Sequence, residues 1–140
     1  MPKDEQIIDT FSDYIRRIEE AEQTVHLPHD VITSEELNIP ALVSGPVERR
    51  QIAWRLYEQP MCYIVEVKPD THIPEHSHDE DVFRLMIKGC LTLTTGDKVR
   101  EFGVGTWFVV RANVRYKIDT KTGYTAFSGY RHLCMNPHSR

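Results

Sequence analysis

The sequence predicts an all-β sandwich or barrel preceded by one amphipathic α-helix, and three observations carry that expectation. After Pro46, short apolar and β-branched runs recur between turn residues at Pro69, Gly89, Gly103, Gly105 and Thr122-Gly123. Thr95-Gly96-Asp97 sits between Leu91-Thr92-Leu93 and residues 98–102, a clear hairpin signal. Ahead of both, Ile7, Ile8, Phe11, Tyr14, Ile15 and Ile18 lie on one stripe at helical spacing.

The elements follow in chain order. The stripe predicts a helix over 4–20, with Asp4 and Glu5 at the positive end of its dipole, packed on the outside of the domain or on a subunit partner. From Thr24 to Pro46 the prolines at 28, 40 and 46 break the pattern into linker and edge structure, with a short helical turn at 34–37. His26 and His29 in this stretch read as surface residues. Strands are expected over 51–58, 61–67, 75–78, 82–88, 90–95, 98–102, 106–110, 116–119 and 125–133, the second of them buried. The expected organisation is a helix and extended arm over 1–46, a barrel over 47–135 and a tail over 136–140 that carries His138.

Composition removes several classes of function. A chain of 140 residues with 40% hydrophobic content builds one core without disulfides. Its net charge of −4 gives no electrostatic reason to bind nucleic acid or an anionic membrane. No run approaches the roughly 20 apolar residues of a membrane span, and no secretory signal is seen, so a cytoplasmic location is expected. Cys62, Cys90 and Cys134 form no CxxC pair and read as reduced core thiols, with a catalytic cysteine disfavoured.

Chemistry concentrates in Pro69-Asp70-Thr71-His72-Ile73-Pro74-Glu75-His76-Ser77-His78, followed by Asp79-Glu80-Asp81 and then Gly89. Histidines at i and i+2 on a strand share a face, so His76 and His78 aim two imidazoles at one point near carboxylates. That is a candidate divalent-metal site. The stretch resembles the first motif of the cupins, small jelly-roll barrels. Asp70 stands at the first glycine, His76 and His78 match, and Gly89 closes the motif. In the second motif Gly105 matches, Arg111 replaces a proline and Asn113 replaces a turn glycine, an exchange that keeps a positive φ. The resemblance covers residues 47–133 and implies a cupin jelly roll.

Two departures accompany the matches. The resemblance implies three histidines and a glutamate around a metal, but Val82 occupies the glutamate position and Tyr116 that of the third histidine. Two registers of the strand after His78 remain open. In one, Phe83, Leu85, Ile87 and Asp81 face inward, and Asp81 completes a two-histidine, one-carboxylate set suited to Fe(II). In the other, implied by the motif, Val82 and Arg84 face inward and Glu80 shares their parity. His72 has the strand parity of His76 and is a candidate for the same cavity. His132 is a further candidate, although a hydrogen-bonded core histidine is the favoured reading.

The expected activity is that of a mononuclear metal enzyme acting on a small organic substrate that is a carboxylate or enolisable. The expected ligands are His76 and His78 with Asp81 or Glu80, and the catalytic candidates are Tyr116 and Arg84. Dioxygenase chemistry on Fe(II) is the first choice, with Mn, Ni or Zn and isomerase, cyclase or lyase chemistry next. The alternative is a small-molecule-binding barrel without a functional metal. An inward Arg84 calls for an anionic partner. Trp54, Tyr63, Trp107, Phe108 and Tyr130 supply aromatic surface for a cavity or its core. A homodimer is expected, because the helix has an apolar stripe to bury.

Overall fold

The computed structural model describes residues 10–132, and its contacts divide the chain into two units. Residues 10–27 and 34–55 form the first, and residues 28–33 and 56–132 the second.

The first unit contains helix α1 (Phe11–Gln23). Thr10 is its N-cap, accepting the Asp13 N–H at 3.1 Å, and the described helix runs three residues past the expected end at residue 20. Asp4, Glu5, Ile7 and Ile8 lie outside the described residues. The helix buries Ile18 and Ala21, while Phe11 is exposed. The stretch read as linker contains a hairpin, β2 (Leu42–Ser44) and β3 (Val47–Arg49), turned by Gly45-Pro46 with Gly45 at φ +57°. Residues 51–55 form no strand, contrary to expectation.

The second unit is a two-sheet β structure. Preceding that hairpin in the chain, β1 (Val31–Thr33) is a strand the sequence did not separate from its surroundings. After the 3-10 turn at Leu56–Glu58 come β4 (Met61–Val67), β5 (Thr71–His76), β6 (Val82–Gly89), β7 (Leu91–Thr95) and β8 (Lys98–Phe102). The last three are β9 (Trp107–Val110), β10 (Tyr116–Thr120) and β11 (Tyr124–Tyr130). One sheet runs β1-β9-β6-β11-β4 and the other β5-β10-β7-β8. The core lies between them: Val31, Met86, Phe108, Val110, Tyr124 and Ala126 from the first meet Leu91, Leu93, Phe102, Tyr116 and Ile118 from the second.

Gln59, between the 3-10 turn and β4, is buried. Its side-chain amide donates to the Asp81 and Gly129 carbonyls, doing the work of strand pairing from a side chain. β4 has the expected bounds but is an edge strand, and its residues are mostly exposed. Cys62 on this edge and Cys90 beside the β6–β7 turn are free and exposed, which corrects the reading of them as core thiols; Cys134 lies outside the described residues. No described helix is long and apolar enough to cross a membrane.

Candidate functional site

The inward register of β6 is set by its partners. Met86 joins the core cluster, Val82 pairs with Val110, and Arg84 pairs with Phe108 on one side and Ser128 on the other. Val82, Arg84 and Met86 therefore face the barrel interior, as the motif implies. Phe83 lies on the opposite face against Trp107 and Phe127, at 5.6 and 6.3 Å between ring centres. The alternative register, with Phe83 and Asp81 inward, is not the one adopted.

A bulge decides which histidines join Arg84. Tyr116 is opposite His76 and Ile118 is opposite Ile73, so two steps along β10 (118 − 116) match three along β5 (76 − 73). Pro74 lies in the extra step, where a missing N–H removes no ladder bond. The bulge reverses side-chain parity. Ile73 and His76 face inward, and His72 points outward, half exposed, with Nδ1 2.6 Å from Asp119 Oδ1. His72 therefore does not line the cavity of His76.

Four side chains meet at the inner face. His76, His78 and Arg84 are 4%, 6% and 8% exposed, and Tyr116 is fully buried. The two imidazoles lie 5.1 Å apart between ring centres, perpendicular to each other, and His76 is 4.5 Å from the Tyr116 ring. The proton pattern follows from which groups can only donate or only accept. Arg84 Nη2 donates to the Tyr116 hydroxyl at 3.2 Å, which directs the phenol proton to His78 Nε2 at 3.0 Å. The Pro74 carbonyl can only accept, so His76 Nδ1 donates to it at 2.8 Å and Nε2 is the ring's lone-pair atom.

Arg84 dominates the electrostatics. Burial alone would lower its pKa, but the oxygens of Tyr116, Tyr130 and Tyr124 raise it above the ordinary value, so it is a fixed cation. Burial pushes the Tyr124 hydroxyl upward, against the pull of Arg84, and it stays a neutral phenol at neutral pH. The guanidinium has no ion pair among the described residues, and its buried Nη1 has no hydrogen-bond partner there. Its contact over the Tyr116 ring, at 5.7 Å, contributes about 1–2 kcal/mol. Burying an uncompensated cation costs on the order of several kcal/mol, so that contact does not balance it.

The acidic residues are engaged elsewhere. Asp81 Oδ1 accepts from the Ala112 N–H at 2.8 Å and faces Arg111 Nε at 3.4 Å. The Glu80 carboxylate takes the backbone N–H groups of Arg131 and His132 and lies 3.2 Å from His132 Nδ1. With the Asn113 N–H bonded to the His78 carbonyl at 2.6 Å, these contacts tie the 77–81 loop to the second-motif loop and to the end of β11. His132 is more than half exposed, not a core residue. His26 and His29 are exposed, as expected, and His138 lies outside the described residues. Ser128, fully buried on the inner face beside Arg84, escaped the sequence reading; its signal was a hydroxyl at period-two spacing from Ala126 and Tyr124.

Residues 63–125 match the family model of the cupin domain. That stretch, a little under half of the chain, is a cupin domain by this match. No curated protein matches it by sequence. Among solved structures, the chain is similar to a variant of the 3,4-ketoisomerase QdtA from Thermoanaerobacterium thermosaccharolyticum in complex with TDP-4-keto-6-deoxyglucose. The two share 9% identity with a TM-score of 0.51, over 77% of this chain and 84% of that one. A cupin-2 domain protein from Shewanella frigidimarina gives 19% identity and a TM-score of 0.47, over 51% of this chain and 69% of that one. A cupin superfamily protein from Desulfitobacterium hafniense gives 12% and 0.48, over 77% and 84%.

Cupins commonly bind a divalent metal, and the donor set here does not fit one. Two imidazoles and a phenol beside Arg84 sum to +1, or to zero if the phenol ionises, before any dication arrives. Among the described residues, the only three His, Cys, Asp or Glu side chains whose ligand atoms lie within 4.8 Å of one another are Asp79, Glu80 and His132, which include neither His76 nor His78.

Proposed function

We propose that this cupin binds a small organic anion at the Arg84–Tyr116–His78–His76 cluster and moves a proton on it, acting as an isomerase, cyclase or lyase. The observation that carries this reading is Arg84, a nearly closed-off cation that donates to the Tyr116 hydroxyl, lies over the Tyr116 ring and has no carboxylate partner among the described residues. A ligand carboxylate or enolate supplies the missing charge. The charge balance that favours an anion disfavours the Fe(II) dioxygenase expected from the motif, and no step here passes through a metal.

The chemistry follows from the proton pattern. His76 Nε2 takes a proton from the carbon next to a substrate carbonyl, since its Nδ1–H is committed to Pro74. The Tyr116 hydroxyl, held by Arg84, hydrogen-bonds the oxyanion that develops. Where the carbon that loses the proton carries a hydroxyl, the intermediate is an enediolate: the proton returns to the former carbonyl carbon while the hydroxyl proton passes to the former carbonyl oxygen, which moves the carbonyl by one carbon with no net gain or loss of protons. The cupin fold is compatible with such a reaction, since a 3,4-ketoisomerase shares it.

The test is hydrogen–deuterium exchange into small 2-oxo and 3-oxo carboxylic acids in D₂O, followed by proton NMR. Wild-type protein is expected to label at least one acid faster than buffer does, and His76→Gln and Tyr116→Phe to slow labelling about 100-fold. Labelling by His76→Gln at the wild-type rate contradicts the assignment of the base. Binding of an acid without any labelling favours the non-catalytic reading of the same pocket.

A further inference from the structure

The residues beside Arg84 narrow the class of anion. Across the five-stranded sheet, Phe108, Arg84, Ser128 and Tyr63 form one register row on β9, β6, β11 and β4. The row runs from a fully buried phenylalanine to a tyrosine that is 39% exposed at the sheet edge. Directly opposed residues on neighbouring strands have Cβ atoms about 5 Å apart, so Arg84 and Ser128 are side by side on the inner face. Ser128 is 0% exposed, and its Oγ, like Arg84 Nη1, is buried without a hydrogen-bond partner among the described residues. Two adjacent buried donors without acceptors are uncommon in a folded core.

Resting on the anion-binding reading above, we infer that Arg84 Nη1 and Ser128 Oγ together seat a single carboxylate of the ligand, and that Ser128 is a specificity-determining residue. A planar two-oxygen group offers one oxygen to the guanidinium and the other to the hydroxyl. Charge sets the class. Arg84 forms no ion pair among the described residues and is the permanent cation of the cluster, so a monoanion balances it where a phosphate dianion would leave excess charge. Tyr63 and Tyr130, packed edge to face at 5.8 Å at the open end of the row, flank the remainder of the ligand.

Acetate serves as the probe. The full ¹⁵N-labelled chain is titrated with acetate, chloride and inorganic phosphate at matched ionic strength, and the Arg84 Nε–H resonance is followed by NMR. Acetate is expected to shift that resonance saturably, with chloride and phosphate far weaker. Ser128→Ala is expected to weaken acetate about ten- to a hundredfold, as loss of one charge-assisted hydrogen bond does, and Arg84→Met to abolish it. Ser128→Cys keeps the volume without a strong donor and should lose as much, which decides the matter if the alanine variant folds poorly. Wild-type affinity in both Ser128 variants, with binding lost in Arg84→Met, overturns the role of Ser128 and leaves the anion site standing. Equal binding of chloride or phosphate overturns the carboxylate assignment. No acetate binding to wild type, or unchanged binding to Arg84→Met, overturns the inference and the anion reading together.

Discussion

At position 84 a guanidinium stands where the inward face of β6 otherwise carries Val82 and Met86. Its cost sets a direction for mutagenesis. Replacing a buried charged group with a well-packed apolar side chain is often neutral or stabilising by about 1–4 kcal/mol. Arg84→Met should therefore raise the thermal midpoint or leave it unchanged while removing anion binding; a variant that unfolds would show that Arg84 is a structural cation. A second residue-scale prediction concerns the positive-φ turns. Asp70 and Asn113 stand at motif glycines, and their φ values are +56° and +67°. Asn113→Gly should be neutral or slightly stabilising, and Asn113→Val should cost about 1–2 kcal/mol by urea denaturation. These two exchanges were legible in the sequence because only backbone conformation had to be matched. The unpaired state of Arg84 was not, because it depends on which neighbours the fold supplies.

At the scale of elements, the motif spacing survives where backbones approach closely. A Cβ on Gly89 would stand 2.1 Å from the Gly123 carbonyl oxygen, and one on Gly123 would stand 2.7 Å from that of Val67. Both residues also have positive φ. Gly89→Ala is therefore expected to cost about 3 kcal/mol or more, or to prevent folding, measured by chemical denaturation; a loss below about 1 kcal/mol would show that the β6–β7 turn has room to give. Strand bounds came through to about one residue for β4 and from β6 to β10, where period-two alternation and turn residues agree, whereas the strand expected over 75–78 is β5 over Thr71–His76, which leaves His78 beyond its end. Two features were hidden for physical reasons. The bulge at Pro74 reverses the parity of β5, so alternation counted from His76 puts His72 on the wrong face. Burial of β4 depends on its place at the sheet edge, and a run such as Met-Cys-Tyr-Ile-Val-Glu-Val carries no record of sheet order.

For the whole barrel, the central question is how two sheets enclose charge. Asp30, next to β1 in one sheet, is 3.3 Å from Arg100 on β8 of the other, a clip across the barrel. Burial pushes the Asp30 carboxyl upward, but the Val31 N–H and the Arg100 charge outweigh it and hold the group below 3.8. A carboxylate depressed in the folded state stabilises above its unfolded value and loses that contribution as pH falls through its folded value. Asp30→Asn should therefore be less stable than wild type at neutral pH, with the gap closing below about pH 3.8; a gap that persists in acid would assign the loss to packing. The cluster at His76, His78, Tyr116 and Arg84 rests on the same bookkeeping of charge. The most direct measurement is metal content by elemental analysis of protein purified without chelators and then offered Fe(II), Mn(II), Ni(II) and Zn(II). The anion-site account predicts less than about 0.1 equivalent of any of them in wild-type protein. One equivalent, lost in His76→Ala, would contradict it and restore the metal centre.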